Sequence, residues 1–335
     1  MIAEGGPIPV ADYMALANAH YYATHDPFGA QGDFITAPEI SQMFGELVGV
    51  WLVDMWTRAG RPIAHLVELG PGRGTLAADA LRAMSGSDLR PAVHFVETSP
   101  LLRAEQANRV PHAVWHDSFE TVPRDEPLMI VANEFFDALP IRQLVHTFSG
   151  WRERMVDHGP DGFVAVPGTV PVDDKVPDHL THAALGSIIE SAPAATRAAR
   201  EIGKRLSAQG GCALVFDYGH QDYAAGDTLQ ALSAHAYADV FANPGAQDLT
   251  AHVDFTLLAK AARGGGAKVR GPVSQHDWLG AMGIAARAAA LAHTHPARAD
   301  EIAAAHERLT SEEEMGELFK ALAFIGRGWP EPAAF

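Results

Sequence analysis

Cysteine is almost absent: Cys212 is the sole one among 335 residues. An internal disulfide and a thiolate metal cluster are therefore excluded, and a reducing compartment is the default expectation. Long apolar runs are missing too. The longest, Met43 to Trp56, is interrupted by Glu46 and Asp54 and falls short of the roughly 18 residues that a membrane-spanning helix needs. The first residues, Met1-Ile2-Ala3-Glu4-Gly5-Gly6-Pro7, carry neither a secretory signal nor an Arg- and Ser-rich organelle presequence, so a cytoplasmic protein is expected. Basic charge is scarce: 25 Lys and Arg face 41 Asp and Glu, a formal charge of −16 with histidine neutral. Such a field repels phosphate backbones and anionic lipid, which counts against nucleic acid and membrane partners, and it suits a cationic substrate. There is no internal repeat, and no low-complexity tract beyond Ala-rich stretches such as Ile284 to Ala292. At about 100 to 200 residues per domain the length allows one large domain or two modest ones; one continuous fold with insertions is the economical reading.

Along the chain, Val10 to Ala23 and Ser41 to Arg58 have helical spacing, separated by breakers in His25-Asp26-Pro27-Phe28-Gly29 and Gln31-Gly32-Asp33. From Ala64 the pattern becomes short apolar runs with helices between them: Leu66 to Leu69, Val93 to Glu97, Ala113 to Trp115, Leu128 to Ala132 and Ala213 to Phe216. That alternation predicts parallel βαβ units. Ile141 to Phe148 and Trp151 to Val166 alternate around turns at Gly150 and Asp161-Gly162, which predicts an inserted antiparallel hairpin. Val170 to Asp178 reads as a surface loop leading into a helix that ends near Gly210-Gly211.

The most informative run is Leu66-Val67-Glu68-Leu69-Gly70-Pro71-Gly72-Arg73-Gly74, a strand with an acidic end that turns on three glycines spaced two apart. It differs from the dinucleotide fingerprint, whose third glycine sits one place later and lets a helix N-terminus face a pyrophosphate. A ligand without pyrophosphate is implied. Glu68 would sit well near an ammonium, and S-adenosylmethionine presents an amino acid there; an ordinary Gly-rich turn is the alternative. Glu97, at the end of the next strand, lies 23 residues past Gly74, close to the roughly 20-residue offset at which an acidic side chain accepts ribose hydroxyls. Asp117, after the third strand, could accept an adenine amine or simply cap a turn.

After the fourth strand comes Asn133-Glu134-Phe135-Phe136-Asp137-Ala138-Leu139-Pro140. Carboxyl ends of strands in open α/β sheets face the ligand crevice, so this amide and two carboxylates should lie beside the transferable methyl. A carboxylate pair can hold a guanidinium and aim one nitrogen at a sulfonium methyl; the alternative is a helix cap and a solvated acid.

These residues carry a resemblance. The chain is similar to the MidA family of class I methyltransferases, whose mitochondrial member is a complex I assembly factor that methylates an arginine of a core subunit. The likeness runs through Tyr21-Tyr22, Gly32-Asp33-Phe34-Ile35-Thr36-Ala37-Pro38-Glu39-Ile40-Ser41, Phe44-Gly45, Glu68 to Leu76, Ser99-Pro100-Leu101, Gln106 and Asn133 to Pro140. It continues through Asp217-Tyr218-Gly219, His235, Asp248 to Phe255 and Met315-Gly316. One departure is that relatives usually carry another helix before Gly6-Pro7.

The resemblance implies an α/β, Rossmann-like class I methyltransferase with a seven-stranded, mostly parallel sheet, an N-terminal helical lid and an inserted β-hairpin. Residues 1–60 would form the lid segment and 61–335 the methyltransferase domain, with insertions near 141–190 and 220–265. Gly32, Asp33, Phe34 and Thr36 would touch S-adenosylmethionine from above; Glu68, Gly70, Gly72, Gly74, Glu97 and Asp117 would hold it from below. Glu134 and Asp137 are expected to orient the acceptor, with Asn133 shaping the crevice and Asp217, after the fifth strand, as a further catalytic candidate. The implied partner is a protein substrate, a respiratory complex I subunit or its bacterial counterpart. Two rivals stay open: an assembly scaffold that binds the donor without turnover, and a small-molecule methyltransferase.

Other signals are weaker. His252 and Asp254, two apart, do not share a helix face, though outside a helix they form a pair able to orient a substrate, and Asp248 or Thr250 reads as the cap of the helix that follows. His293-x-His295 lacks a third ligand at a recognisable spacing, and no metal is expected. Met43, Phe44, Trp51 and Trp56 recur at helical spacing and read as core. Glu312-Glu313-Glu314 reads as a solvated helix start.

Overall fold

The computed structural model describes residues 2–24, 36–221, 225–233 and 236–335. The largest sheet takes strands β1 (His65–Leu69), β2 (Ala92–Val96), β3 (Val114–His116), β4 (Leu128–Asn133), β5 (Gly211–His220), β6 (Lys268–Ser274) and β7 (Phe319–Ile325). Their order is β6-β7-β5-β4-β1-β2-β3, with the short strand Val253–Asp254 also paired to β5. Strand β7 is antiparallel to both neighbours, and the pairs from β5 to β3 are parallel. The sheet is mixed.

The helices follow from periodicity and caps. They include α1 (Val10–Thr24), α2 (Gln42–Arg58), α3 (Thr75–Met84), α4 (Pro100–Arg109), α5 (Pro193–Gln209) and α6 (Phe255–Gly264). Ser41 starts α2 by accepting the Met43 N–H at 3.2 Å, and Ser99 starts α4 ahead of Pro100, which supplies a preset φ. Helix α2 runs against α3, and its Gly49 permits that approach: a Cβ there would lie 2.5 Å from the Ala80 carbonyl. Met43, Phe44 and Trp51 are fully buried and Trp56 nearly so, as their spacing anticipates. Helices α2 and α3 cover one face of the sheet, α5 and α6 the other. Strands buried on both faces read as near-continuous apolar runs, and that made β1, β4 and β5 visible in the sequence.

The insertion is larger than a hairpin. Arg142–Thr147, Gly150–Gly159 and Gly162–Pro171 belong to a five-stranded antiparallel sheet completed by Ile188–Ser191 and Ile8–Pro9. Two-residue and four-residue strands carry no readable alternation, so neither is legible in the sequence. A third sheet joins Gln230–Ser233 to Ala236–Ala238 and Asp248–Thr250. Asp248 and Thr250 therefore lie in a strand, and the cap of α6 is Asp254, whose Oδ1 accepts the Leu257 N–H at 2.9 Å. Strand β5 also continues through Asp217 to His220, where the apolar pattern alone would end it at Phe216. No described helix is long and apolar enough to cross a membrane.

Candidate active site

Strands β1 and β4 lie side by side, yet the chain leaves them toward opposite edges of the sheet. At such a switch point the loops beyond the strand ends part and leave a crevice. Here the crevice is a cavity of about 1400 Å³. Its lining includes Thr36, Glu68, Gly70, Gly72, Glu97, Asp117, Asn133, Glu134 and Asp137.

The β1 turn forms one end. Gly70, Gly72 and Gly74 have φ of 62°, 53° and 79°, the left-handed region that only glycine enters without strain. A Cβ on Gly70 would also sit 3.2 Å from the Phe135 ring. Gln106, fully buried, fastens this turn to the end of β2: its Nε2 donates to the Gly72 carbonyl at 2.7 Å and to Glu97 Oε2 at 3.3 Å. Glu97 Oε1 accepts the Ser99 N–H at 2.7 Å. Glu68 is 3 % exposed, and its Oε2 has no hydrogen-bond partner among the described residues. Burial pushes its carboxyl up to about 8, against a weaker opposing bond from the Ala77 backbone. Asp117 stands at the exposed rim, paired with Arg103 at 2.6 Å. Thr36 is buried at the cavity wall. Gly32, Asp33 and Phe34, expected above the donor, lie outside the described residues.

The turn after β4 forms the other end. Glu134 adopts φ 49°, unusual for a residue with a side chain, and its N–H donates to the Phe216 carbonyl at 2.9 Å. Strain of this kind concentrates where a side chain must be aimed. Asn133 Nδ2 donates to Glu134 Oε1 at 3.0 Å, while Asn133 Oδ1 and Asp137 Oδ1 are buried without partners among the described residues. Burial, reinforced by the neighbouring Asp137, pushes Glu134 up to about 8, and burial pushes Asp137 up to about 6. Asp217 is fully buried beneath this turn and is absent from the cavity lining; its Oδ2 accepts the Phe136 N–H at 2.9 Å and its Oδ1 the Tyr218 N–H at 3.0 Å.

The fold adds residues that spacing did not single out as a site. Tyr22 on α1 donates to Asp248 Oδ1 at 2.9 Å, and Tyr218 donates to Thr250 Oγ1 at 2.6 Å. Asn18 ties α1 to the turn and to the third sheet, donating to the Ala138 and Leu249 carbonyls at 3.1 and 2.7 Å. His252 sits edge-on to Tyr218. Asn18, Tyr22, Tyr218, Asp248, Thr250 and His252 line the cavity. The partners are up to 231 residues apart, so no local pattern links them; the motif resemblance at Tyr21-Tyr22 and Asp248 to Phe255 was the one available signal.

Such a lining suits S-adenosylmethionine. A left-handed glycine turn lets a ligand reach the backbone, and a buried orphan oxygen on Glu68 awaits a donor such as an ammonium. When bound, the donor supplies an electrophilic methyl on sulfur.

Comparison with known proteins agrees. Residues 47–273 match a family described as S-adenosyl-L-methionine-dependent methyltransferases. The chain is 38% identical to the protein arginine methyltransferase NDUFAF7 homolog, mitochondrial, of Drosophila melanogaster, over 97% of this chain and 83% of that one. It is 36% identical to protein arginine methyltransferase NDUFAF7, mitochondrial, of Homo sapiens, over 97% and 81%. Among solved structures, a Burkholderia thailandensis protein crystallised with S-adenosyl-homocysteine superposes with a TM-score of 0.87 at 29% identity, covering 99% of this chain and 91% of that one. The fold is that of an α/β methyltransferase, and the chain belongs to this S-adenosyl-L-methionine-dependent family.

Proposed function

We propose that the chain methylates an arginine side chain of a protein, with a respiratory complex I subunit or its bacterial counterpart as the substrate to test first. The observation that carries this reading is the pair Glu134 and Asp137: two buried carboxyls, with Asp137 close enough to raise the proton affinity of Glu134 and with an Asp137 oxygen that has no hydrogen-bond partner among the described residues. A guanidinium answers all of this, since it offers planar paired donors and a positive charge that both carboxylates would otherwise lack. The names of the relatives, protein arginine methyltransferases of mitochondria, support the same acceptor.

On this reading Glu68, with the Gly70-Gly72-Gly74 turn and Glu97, holds the donor, and Asp117 borders its adenine. Thr36, buried at the cavity wall, helps to exclude water from the reacting centre. Glu134 and Asp137 clamp the guanidinium so that one nitrogen lies in line with the methyl, and Asn133 fixes Glu134 through the 3.0 Å bond. Arginine's pKa above about 12 means that its proton must leave as the bond forms. Once the bound guanidinium has ionised Glu134, the proton affinity that burial gives this carboxylate suits it to take that proton.

The test is mass spectrometry of peptides from a deletion strain and its parent. The expected result is an arginine whose mass exceeds that of the deletion strain by one or two methylenes. Absence of any such arginine, complex I subunits included, would reject the acceptor.

A further inference from the structure

The cavity extends past Phe119 and Leu139 to helix α5, where Ala194 and Ala198 form its floor and Arg197, Arg200 and Lys204 its rim. The three cations recur at i, i+3 and i+7, so they share one helix face, and all are exposed. Among the described residues Arg197 and Arg200 make no ion pair; Lys204 meets Glu201 at 3.5 Å. In a chain of net charge −16, three cations set against Glu120 and Glu201 leave this rim of the cleft with a positive excess. The wall is also rigid. Gly203 brings α5 against α6, with a Cβ there only 2.3 Å from the Ala262 carbonyl, and Arg205 anchors α5 to the Val122 and Pro123 carbonyls at 3.2 and 2.5 Å.

We propose that this face of α5 docks an acidic segment of the protein substrate that flanks the methylated arginine, an inference that rests on the arginine reading above. The inner end of the cleft, with Glu134, Asp137 and Asp248, takes the cation; the outer end, of opposite sign, takes the flanking carboxylates. The cleft therefore reads charge order along a peptide, which sets register as well as affinity. A nucleic acid fits poorly: the inner carboxylates and the overall field repel phosphates, and three cations give a short track.

The experiment measures fluorescence anisotropy of labelled peptides carrying one arginine flanked by glutamates or by lysines, with S-adenosylhomocysteine present. The acidic peptide is expected to bind about ten-fold tighter, against the pull of the net charge, with the advantage shrinking in salt and reversing in R197E/R200E. Equal affinity for the two peptides, binding of neither, indifference to the double substitution, or equally tight binding of an RNA oligonucleotide each overturns the proposal. Its failure is separable from that of the arginine reading: a methylated arginine in the parent strain together with no acidic preference rejects the docking surface alone.

Discussion

Asp217 accepts the backbone N–H of Asp137 at 3.3 Å, so one buried carboxyl carries the turn that aims another. The same Oδ2 takes the Phe136 N–H, and Oδ1 takes that of Tyr218. Asp217 is thus a positioning residue. Asp217→Ala should leave buried N–H groups unpaired and cost about 2 to 4 kcal/mol in urea unfolding, and Asp217→Asn, which keeps one acceptor oxygen but sets its NH2 against the remaining backbone N–H, should lose part of that. If Asp217→Ala leaves both stability and kcat untouched, the turn is held by something else.

Glu134→Gln and Asp137→Asn remove charge with little change of shape. Each should lower methyl transfer by about 100-fold or more through lost orientation, while calorimetry shows S-adenosylhomocysteine binding within about two-fold of the parent. Full methyl transfer in both variants would remove this pair from the reaction, whereas assembly sustained by variants that no longer transfer methyl would favour a scaffold that binds the donor without turning it over.

Glu68 and Glu134 hold a proton up to about pH 8 when buried, against an ordinary value of 4.5. Between those limits the folded state binds protons that the unfolded state has released, so these groups make stability fall as pH rises from 4.5 to 8. Glu68→Gln should flatten that decline. Bound S-adenosylhomocysteine, whose ammonium favours the ionised Glu68, should raise the melting temperature more at pH 8 than at pH 6. A ligand shift independent of pH would place the ammonium elsewhere.

His94, in the middle of a row of imidazoles, behaves in the opposite sense. His94 Nε2 lies 3.1 Å from His65 Nδ1, His94 Nδ1 lies 3.0 Å from His116 Nε2, and His65 Nε2 lies 3.0 Å from Asp125. Burial, then the neighbouring rings, pushes His94 down to about 4. The unfolded chain takes up a proton near 6.5 that the folded one refuses, so stability should be lost as pH falls from 6.5 toward 4. His94→Gln should weaken that acid sensitivity in thermal unfolding at pH 7 and pH 5. An unchanged slope would show that the row is not its source.

Much of the main sheet was legible because its strands are buried on both faces and its turns need particular residues. Leu66–Leu69 could only be a buried strand, and three glycines with φ above 50° had to be glycines. Asn133 to Asp137 stood out because polar residues at the end of an apolar strand have few structural reasons to be there. Ile8–Pro9, Ile188–Ser191 and the strand at Asp248 were not legible: pairing partners lie far along the chain, and segments this short carry no period.

By itself, then, the sequence determined the three-glycine turn, the acidic ends of the strands and the core of α2, since each depends on backbone conformation or burial set within a few residues. Tertiary structure alone decided that Tyr22 meets Asp248, that Asp217 turns beneath the cavity and that α5 brings its cations to the mouth. Those outcomes depend on which distant elements share a face, and chain order leaves that open until the core closes.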